Sequence, residues 1–113
     1  MHELSLCEGI LQSIETAAKK EHFSQVRSVS LAIGALSCVE PDAMRFAFDA
    51  VMKTTLAEGA ALNIMIIAGQ GWCSQCEQQV EMVERYDACP NCQHHPLVIQ
   101  AGDQMQIKQL EVE

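Results

Sequence analysis

The chain has 113 residues, 49% of them hydrophobic and 4% aromatic, and carries a formal net charge of −8. That is room for one compact domain, or a small core with a metal-stapled appendage, built from aliphatic side chains, Ala and Met. The negative balance disfavours a nucleic-acid backbone or an anionic membrane surface, which draw on clustered Lys and Arg, and suits a cation or a protein partner.

The opening residues Met1-His2-Glu3-Leu4-Ser5-Leu6-Cys7 lack the basic start and apolar run of a signal peptide. No apolar stretch approaches the roughly 20 residues that span a bilayer. The expected location is the cytoplasm, where thiols stay reduced, so the six cysteines read as metal ligands before disulfides.

In chain order, Leu6, Ile10, Leu11, Ile14, Ala17 and Ala18 recur at three-and-four spacing and predict a helix from Glu3 to Lys20. Ser5 and Glu8 form a candidate capping box at its start. Val29, Leu31 and Ile33 alternate with Ser28, Ser30 and Ala32, which predicts a strand with one buried face, closed by Gly34. Glu40-Pro41-Asp42 marks the start of a second helix with Met44, Ala47, Phe48 and Val51 as its buried stripe. Leu62, Ile64 and Ile66 alternate with Asn63, Met65 and Ile67 as a second strand. In the last segment Met105 and Ile107 lie on one parity, Leu110 and Val112 on the other, so a bulge is expected near Lys108 or Gln109.

Between Ala68 and about Gln100 the chain is polar, opens with Gly69-Gln70-Gly71, and holds too few apolar residues for a core of its own. The predicted architecture is α+β, two helices on a three-stranded sheet, interrupted by an inserted four-cysteine zinc-ribbon module.

Cys73-Ser74-Gln75-Cys76 is followed after twelve residues by Cys89-Pro90-Asn91-Cys92. Two residues between thiolates let one tight turn present both sulfurs to one ion, and two such turns complete the tetrahedral four-sulfur shell that Zn²⁺ prefers. Such binding contributes folding free energy on the order of 10 kcal/mol, which a core-poor segment requires. Two disulfides, a redox pair or an iron–sulfur cluster are the alternatives; the duplication argues against the redox pair, and the even pairing favours zinc. A fully ligated ion has no open position for catalysis. With no Ser/His/Asp set and no phosphate loop either, the chain reads as a non-enzyme.

At the other end, a terminal amine on Met1, the amide nitrogen and imidazole of His2, and the amide of Glu3 offer a planar nitrogen set. Such sites suit Ni(II) or Cu(II), and raw affinity favours copper. By residue chemistry alone, His2 reads first as an exposed side chain near a frayed end. Among the rest, Cys7 and Cys38 read as small apolar residues on packed faces. His22 reads as solvated after the first helix, and Trp72 as a cover over the zinc module or its junction.

Taken together, Met1-His2-Glu3-Leu4-Ser5-Leu6-Cys7, Ile33-Gly34-Ala35-Leu36-Ser37-Cys38-Val39-Glu40, Phe46-Ala47-Phe48, the doubled cysteine motif and the ending Ile107–Glu113 resemble the HypA/HybF family. Its members are nickel metallochaperones for [NiFe]-hydrogenase maturation. The resemblance implies nickel ligands at Met1, His2 and Glu3, and structural zinc at Cys73, Cys76, Cys89 and Cys92. It also implies a nickel-binding α+β domain over 1–68 and 101–113 with a zinc-binding domain at 69–100. The implied partners are the GTPase HypB and the hydrogenase large subunit, and some bacterial members also serve urease. A homodimer by exchange of the C-terminal strand or the zinc module is open to a chain with two such linkers. In some members a His directly follows a CxxC pair; here Glu77 and Gln93 take those places, with His94 and His95 beyond. His94 is therefore expected to tune the zinc site from outside its ligand shell. The alternative reading is a zinc-ribbon interaction adaptor with no nickel role.

Overall fold

A computed structural model describes residues 2–113. In chain order the elements are α1 (Glu3–Glu21), β1 (Val26–Gly34), α2 (Pro41–Met52), β2 (Ala61–Ile67), β3 (Gly69–Cys73), β4 (Gln78–Met82), β5 (Val98–Ala101) and β6 (Met105–Val112). The strands form two three-stranded sheets, ordered β2-β1-β6 and β4-β3-β5. The expected α+β architecture is present. The second sheet is an addition, built from strands too short and polar to show a period. Two compact units result, one of residues 1–32, 39–65 and 106–113, the other of 33–38 and 66–105.

In the first unit α1 starts at Glu3, earlier than a Ser5–Glu8 box requires, and no side chain caps it. His2 takes the N-cap position, and its carbonyl accepts the Leu6 N–H at 2.9 Å. The physical reason is Glu3, only 8% exposed, whose carboxylate accepts the Glu40 N–H at 3.2 Å. That bond holds the first turn two residues upstream of Ser5. At the other end His22 is not merely solvated. It adopts the left-handed conformation that stops the helix, with its N–H on the Ala18 carbonyl at 2.8 Å.

Helix α2 opens as its sequence demands, with Pro41 in the first turn and the Glu40 side chain accepting from the Asp42 N–H at 3.4 Å. Its buried stripe is Met44, Ala47 and Phe48, ending on Met52; Val51 is only half-buried. Helices α1 and α2 pack together, and the Cys7 thiol reaches the Met44 carbonyl at 3.8 Å. Cys7 is fully buried, as a small apolar residue would be, and burial, aided by the Glu3 charge, pushes its thiol up to about 11. Ile10, Ile14, Val29, Leu31 and Phe48 are likewise buried, each contributing about 1.5–3 kcal/mol of transfer free energy.

Strand β1 departs from the single buried face, since Ser28 and Ala32 are buried as well. It is the central strand of its sheet, and neighbouring side chains cover its second face: the Ser28 hydroxyl donates to Glu111 Oε1 at 2.6 Å. In β2, Leu62 and Ile64 are half-buried, but Ile66 is 55% exposed, against its pattern. Strand β6 changes phase where expected. Met105 and Ile107 are half-buried, Lys108 and Gln109 are both exposed, and Leu110 is half-buried again, while Val112 stays exposed.

The second unit is organised around cysteine. Leu36, Val80, Met82 and Leu97 are buried with Cys73 and Cys89, and Cys76, Cys92 and Ile99 pack against them. Strand β3 runs antiparallel to β4, from Gly69↔Met82 to Cys73↔Gln78, and antiparallel to β5 with a bulge between Gln70 and Gly71. Residues 33–38 belong to this unit through three backbone bonds: Gly34 N–H to Gln104 O (2.8 Å), Ala35 N–H to Ile67 O (2.8 Å) and Leu36 N–H to Gly102 O (2.7 Å). Gly34 is needed there, because a Cβ would land on the Gly102 carbonyl. Gly34→Ala must part these backbones and is expected to cost about 1–3 kcal/mol. The measurement is the thermal midpoint of the metal-loaded protein, and an unchanged midpoint would refute the close approach.

Candidate metal centres

Cys73 ends β3, and Cys76 follows across a tight turn whose N–H points back at Cys73 Sγ (3.3 Å). The two CxxC turns are built alike. After each, the next residue takes a left-handed conformation, Glu77 at φ 53° and Gln93 at φ 66°. Each N–H then returns to the carbonyl of the first cysteine, Glu77 to Cys73 and Gln93 to Cys89, both at 2.8 Å. This closure aims all four sulfurs inward.

The four Sγ atoms lie within 4.8 Å of one another, with Cys73–Cys92 at 3.6 Å and Cys76–Cys89 at 3.9 Å. Four sulfurs placed tetrahedrally at about 2.3 Å from one ion stand about 3.8 Å apart. The same separations far exceed a disulfide bond of about 2.05 Å. The donor set therefore fits one tetrahedral metal ion. Cys73 and Cys89 are buried, while Cys76 and Cys92 are half-buried at the rim.

The thiols are polarised unequally. Around Cys89, burial works against the thiolate, but the N–H groups of Cys92 and Asn91 outweigh it and bring the thiol down to about 7. Cys76, which shares hydrogen bonds first with Cys92, is pushed up to about 12. Filling the site with a cation must displace the proton that Cys76 holds. Metal affinity is expected to rise with pH and to fall on acidification, with proton release on zinc uptake measurable by calorimetry in buffers of different ionisation enthalpy. Proton-free uptake would contradict the protonated cluster.

The His94 imidazole Nε2 lies 3.2 Å from the Ser74 hydroxyl, and the His94 carbonyl accepts the Cys89 N–H at 2.9 Å. One residue thus touches both cysteine turns. Trp72 is 36% exposed, on the parity opposite to buried Gly71 and Cys73. Cys38 departs from expectation, since it is exposed, with φ 64°.

At the N-terminal candidate site Met1 lies outside the described residues. His2 is exposed at the head of α1, and Glu3 begins the helix beneath it. Two backbone N–H groups, that of Glu40 first and then its own, bring the Glu3 carboxyl down to about 2. Glu40 is a participant that periodicity missed. Its signal lay in Glu40-Pro41-Asp42, a helix start with an open N–H just ahead of proline.

The match to known families is decisive on identity. The family described as "Hydrogenase/urease nickel incorporation, metallochaperone, hypA" matches residues 1–112. The chain belongs to the HypA family. Proteins called hydrogenase maturation factor HypA from Bradyrhizobium sp. (strain ORS 278) and Albidiferax ferrireducens are each 50% identical over 113 residues, covering 100% of both chains. That of Methylocella silvestris is 47% identical over the same span. The solution structure of the nickel metallochaperone HypA from Helicobacter pylori shares the fold, with a TM-score of 0.72 at 24% identity over 99% of this chain and 97% of that one. The family resemblance seen in the sequence is thus established, and the four-cysteine cluster is consistent with its zinc ribbon. Among the described residues no helix is long and apolar enough to cross a membrane.

Proposed function

We propose that this HypA-family chain binds Ni(II) at its N-terminus and delivers it for maturation of [NiFe]-hydrogenase, with a structural zinc at Cys73, Cys76, Cys89 and Cys92. The match over residues 1–112 to a nickel-incorporation family carries this reading. The chemistry supports it. Exposed His2 and the first amides of α1 supply a compact nitrogen set, of the kind that suits a tetragonal Ni(II) ion. Few ligands, all at one exposed chain end, suit cargo that must be handed on. The buried four-sulfur cluster suits an ion that stays.

The chain's action is binding and transfer without catalysis. Met1 and His2 hold the cargo, the Glu3 amide completes the set, and the Glu3 carboxylate positions the turn by holding the Glu40 N–H. The zinc ion supplies no chemistry beyond holding its unit together. In this reading the protein works in the cytoplasm. HypB and the hydrogenase large subunit are its partners, the nickel-binding part is 1–68 and 101–113, and the zinc-binding part is 69–100.

The deciding test is a Ni(II) titration of untagged, zinc-loaded protein beside a version with residues added ahead of Met1. One tight site lost on extension, with zinc still at one per chain, is the expected result. Undiminished nickel binding in the extended protein would move the site elsewhere and leave the zinc-ribbon adaptor as the reading.

A further inference from the structure

In the zinc unit, β4 is followed by a short turn, Val83-Glu84-Arg85-Tyr86-Asp87, that is hydrogen-bonded within itself. The Asp87 carboxylate accepts the N–H groups of Val83 (2.8 Å) and Glu84 (3.0 Å). The Asp87 N–H returns to the Glu84 carbonyl at 3.2 Å. The Arg85 Nε–H donates to the Leu36 carbonyl at 2.8 Å, which ties the turn to residues 33–38. These bonds fix a turn whose two large apolar side chains cover nothing: Val83 is 73% exposed and Tyr86 85% exposed.

An ordinary surface turn has no need to fix two apolar side chains outward. A turn ordered in advance, bearing an aromatic residue, loses little entropy when that residue enters a pocket, which is how interface anchors work. Charge says what kind of pocket. The exposed ionic side chains beside the anchor are Glu81, Glu84 and Arg85, of which Arg85 is tied to the Leu36 carbonyl; the balance is acidic, and the whole chain carries −8. A basic rim matches this surface; an acidic one is repelled.

We propose that the Val83–Asp87 turn is a docking surface whose occupant is a protein presenting an apolar pocket rimmed by Lys and Arg. Resting on the delivery reading above, that occupant is the nickel-free hydrogenase large subunit. Tyr86 fills the pocket, Val83 packs beside it, and Glu81 and Glu84 face the rim.

The experiment is biolayer interferometry of the zinc-loaded chain against the nickel-free large subunit of a [NiFe]-hydrogenase, with HypB measured in parallel. Tyr86→Ala should weaken large-subunit binding by roughly tenfold or more, and Tyr86→Phe should restore most of it. Glu81→Lys with Glu84→Lys should weaken it further and remove its salt dependence. Zinc content and nickel binding, measured on every variant, show that both metal sites are intact. If the unaltered chain binds the large subunit and Tyr86→Ala binds equally well, the docking surface is overturned while the delivery reading stands. If the unaltered chain binds neither protein, both fall. A loss confined to HypB, or a change only in self-association seen by sedimentation, would give the turn to another occupant and overturn the assignment.

Discussion

Replacing Cys89 with Ser is expected to unfold residues 66–105 while leaving the helical unit standing. Cys89 is fully buried, and the N–H groups of Cys92 and Asn91 bring its thiol down to about 7 against the opposing effect of burial. Apart from the cysteines, the buried cluster of its unit is Leu36, Val80, Met82 and Leu97. Four side chains at about 1.5–3 kcal/mol each cannot order a segment of that length, where each residue costs roughly 1.5 kcal/mol in conformational entropy. The ion's contribution is on the order of 10 kcal/mol, comparable to all four of those side chains together. Circular dichroism and two-dimensional NMR of the variant, or of wild-type protein stripped by a chelator, should show the amides of β3, β4 and β5 collapsing to unfolded shifts. The α1 and α2 signals should survive. A dispersed, folded spectrum of the second unit without metal would refute the zinc assignment as structural.

The second large effect concerns nickel, and three substitutions separate the ligand atoms. His2→Ala removes the imidazole and is expected to weaken nickel binding by about a hundredfold or more, which corresponds to about 2.7 kcal/mol. Glu3→Pro removes the amide N–H that a nitrogen ligand requires. Proline is tolerated at the first helical position, and Glu3 is that position, so the helix should remain. Glu3→Gln keeps the amide and loses only the charge. Weak binding in Glu3→Pro beside near-normal binding in Glu3→Gln would assign the role to the backbone nitrogen. Weak binding in both variants would implicate the carboxylate.

The Glu3 carboxylate has a pH signature of its own. Its pKa lies at about 2 against an ordinary 4.5, chiefly through the Glu40 N–H. A carboxyl lowered on folding stabilises the fold fully above its unfolded value and loses that contribution as pH falls through the folded one. The anchor between the starts of α1 and α2 should hold above pH 4.5 and be lost towards pH 2. The Glu40 amide shift, followed by NMR, should titrate accordingly, and a midpoint near 4.5 would mean that the bond does not form.

Much of this was legible in residue patterns, for identifiable reasons. A helix face repeats over several turns, so Ile10, Ile14, Met44, Ala47 and Phe48 declared themselves. The phase change in β6 showed because Ile107 and Leu110 cannot lie on one face of a regular strand. The cysteine pairs were legible because ligand spacing is a local property of a turn, and the sulfurs do converge. Where local reasoning failed, a distant partner had intervened. The Ser5–Glu8 box lost to a bond from Glu40, which lies far along the chain. Ser28 was read as outward-facing, but the Glu111 side chain covers it. Ile66 and Cys38 were read as buried because they are apolar, yet apolarity alone does not supply a neighbour to pack against.

The sequence by itself determined the α+β class, the four-sulfur donor set and the family, since each rests on short-range periodicity, ligand spacing or motif order. Only the tertiary structure decided that residues 33–38 join the cysteine-centred unit and that Leu36 is buried in its core. It alone decided that Glu3 is held by the Glu40 N–H, and that Val83 and Tyr86 stand outward on a locked turn. The reason is common to all of these. Backbone hydrogen bonds and burial are settled by whichever groups folding brings within about 3 Å, and residues far apart in the chain leave no periodic trace of that meeting.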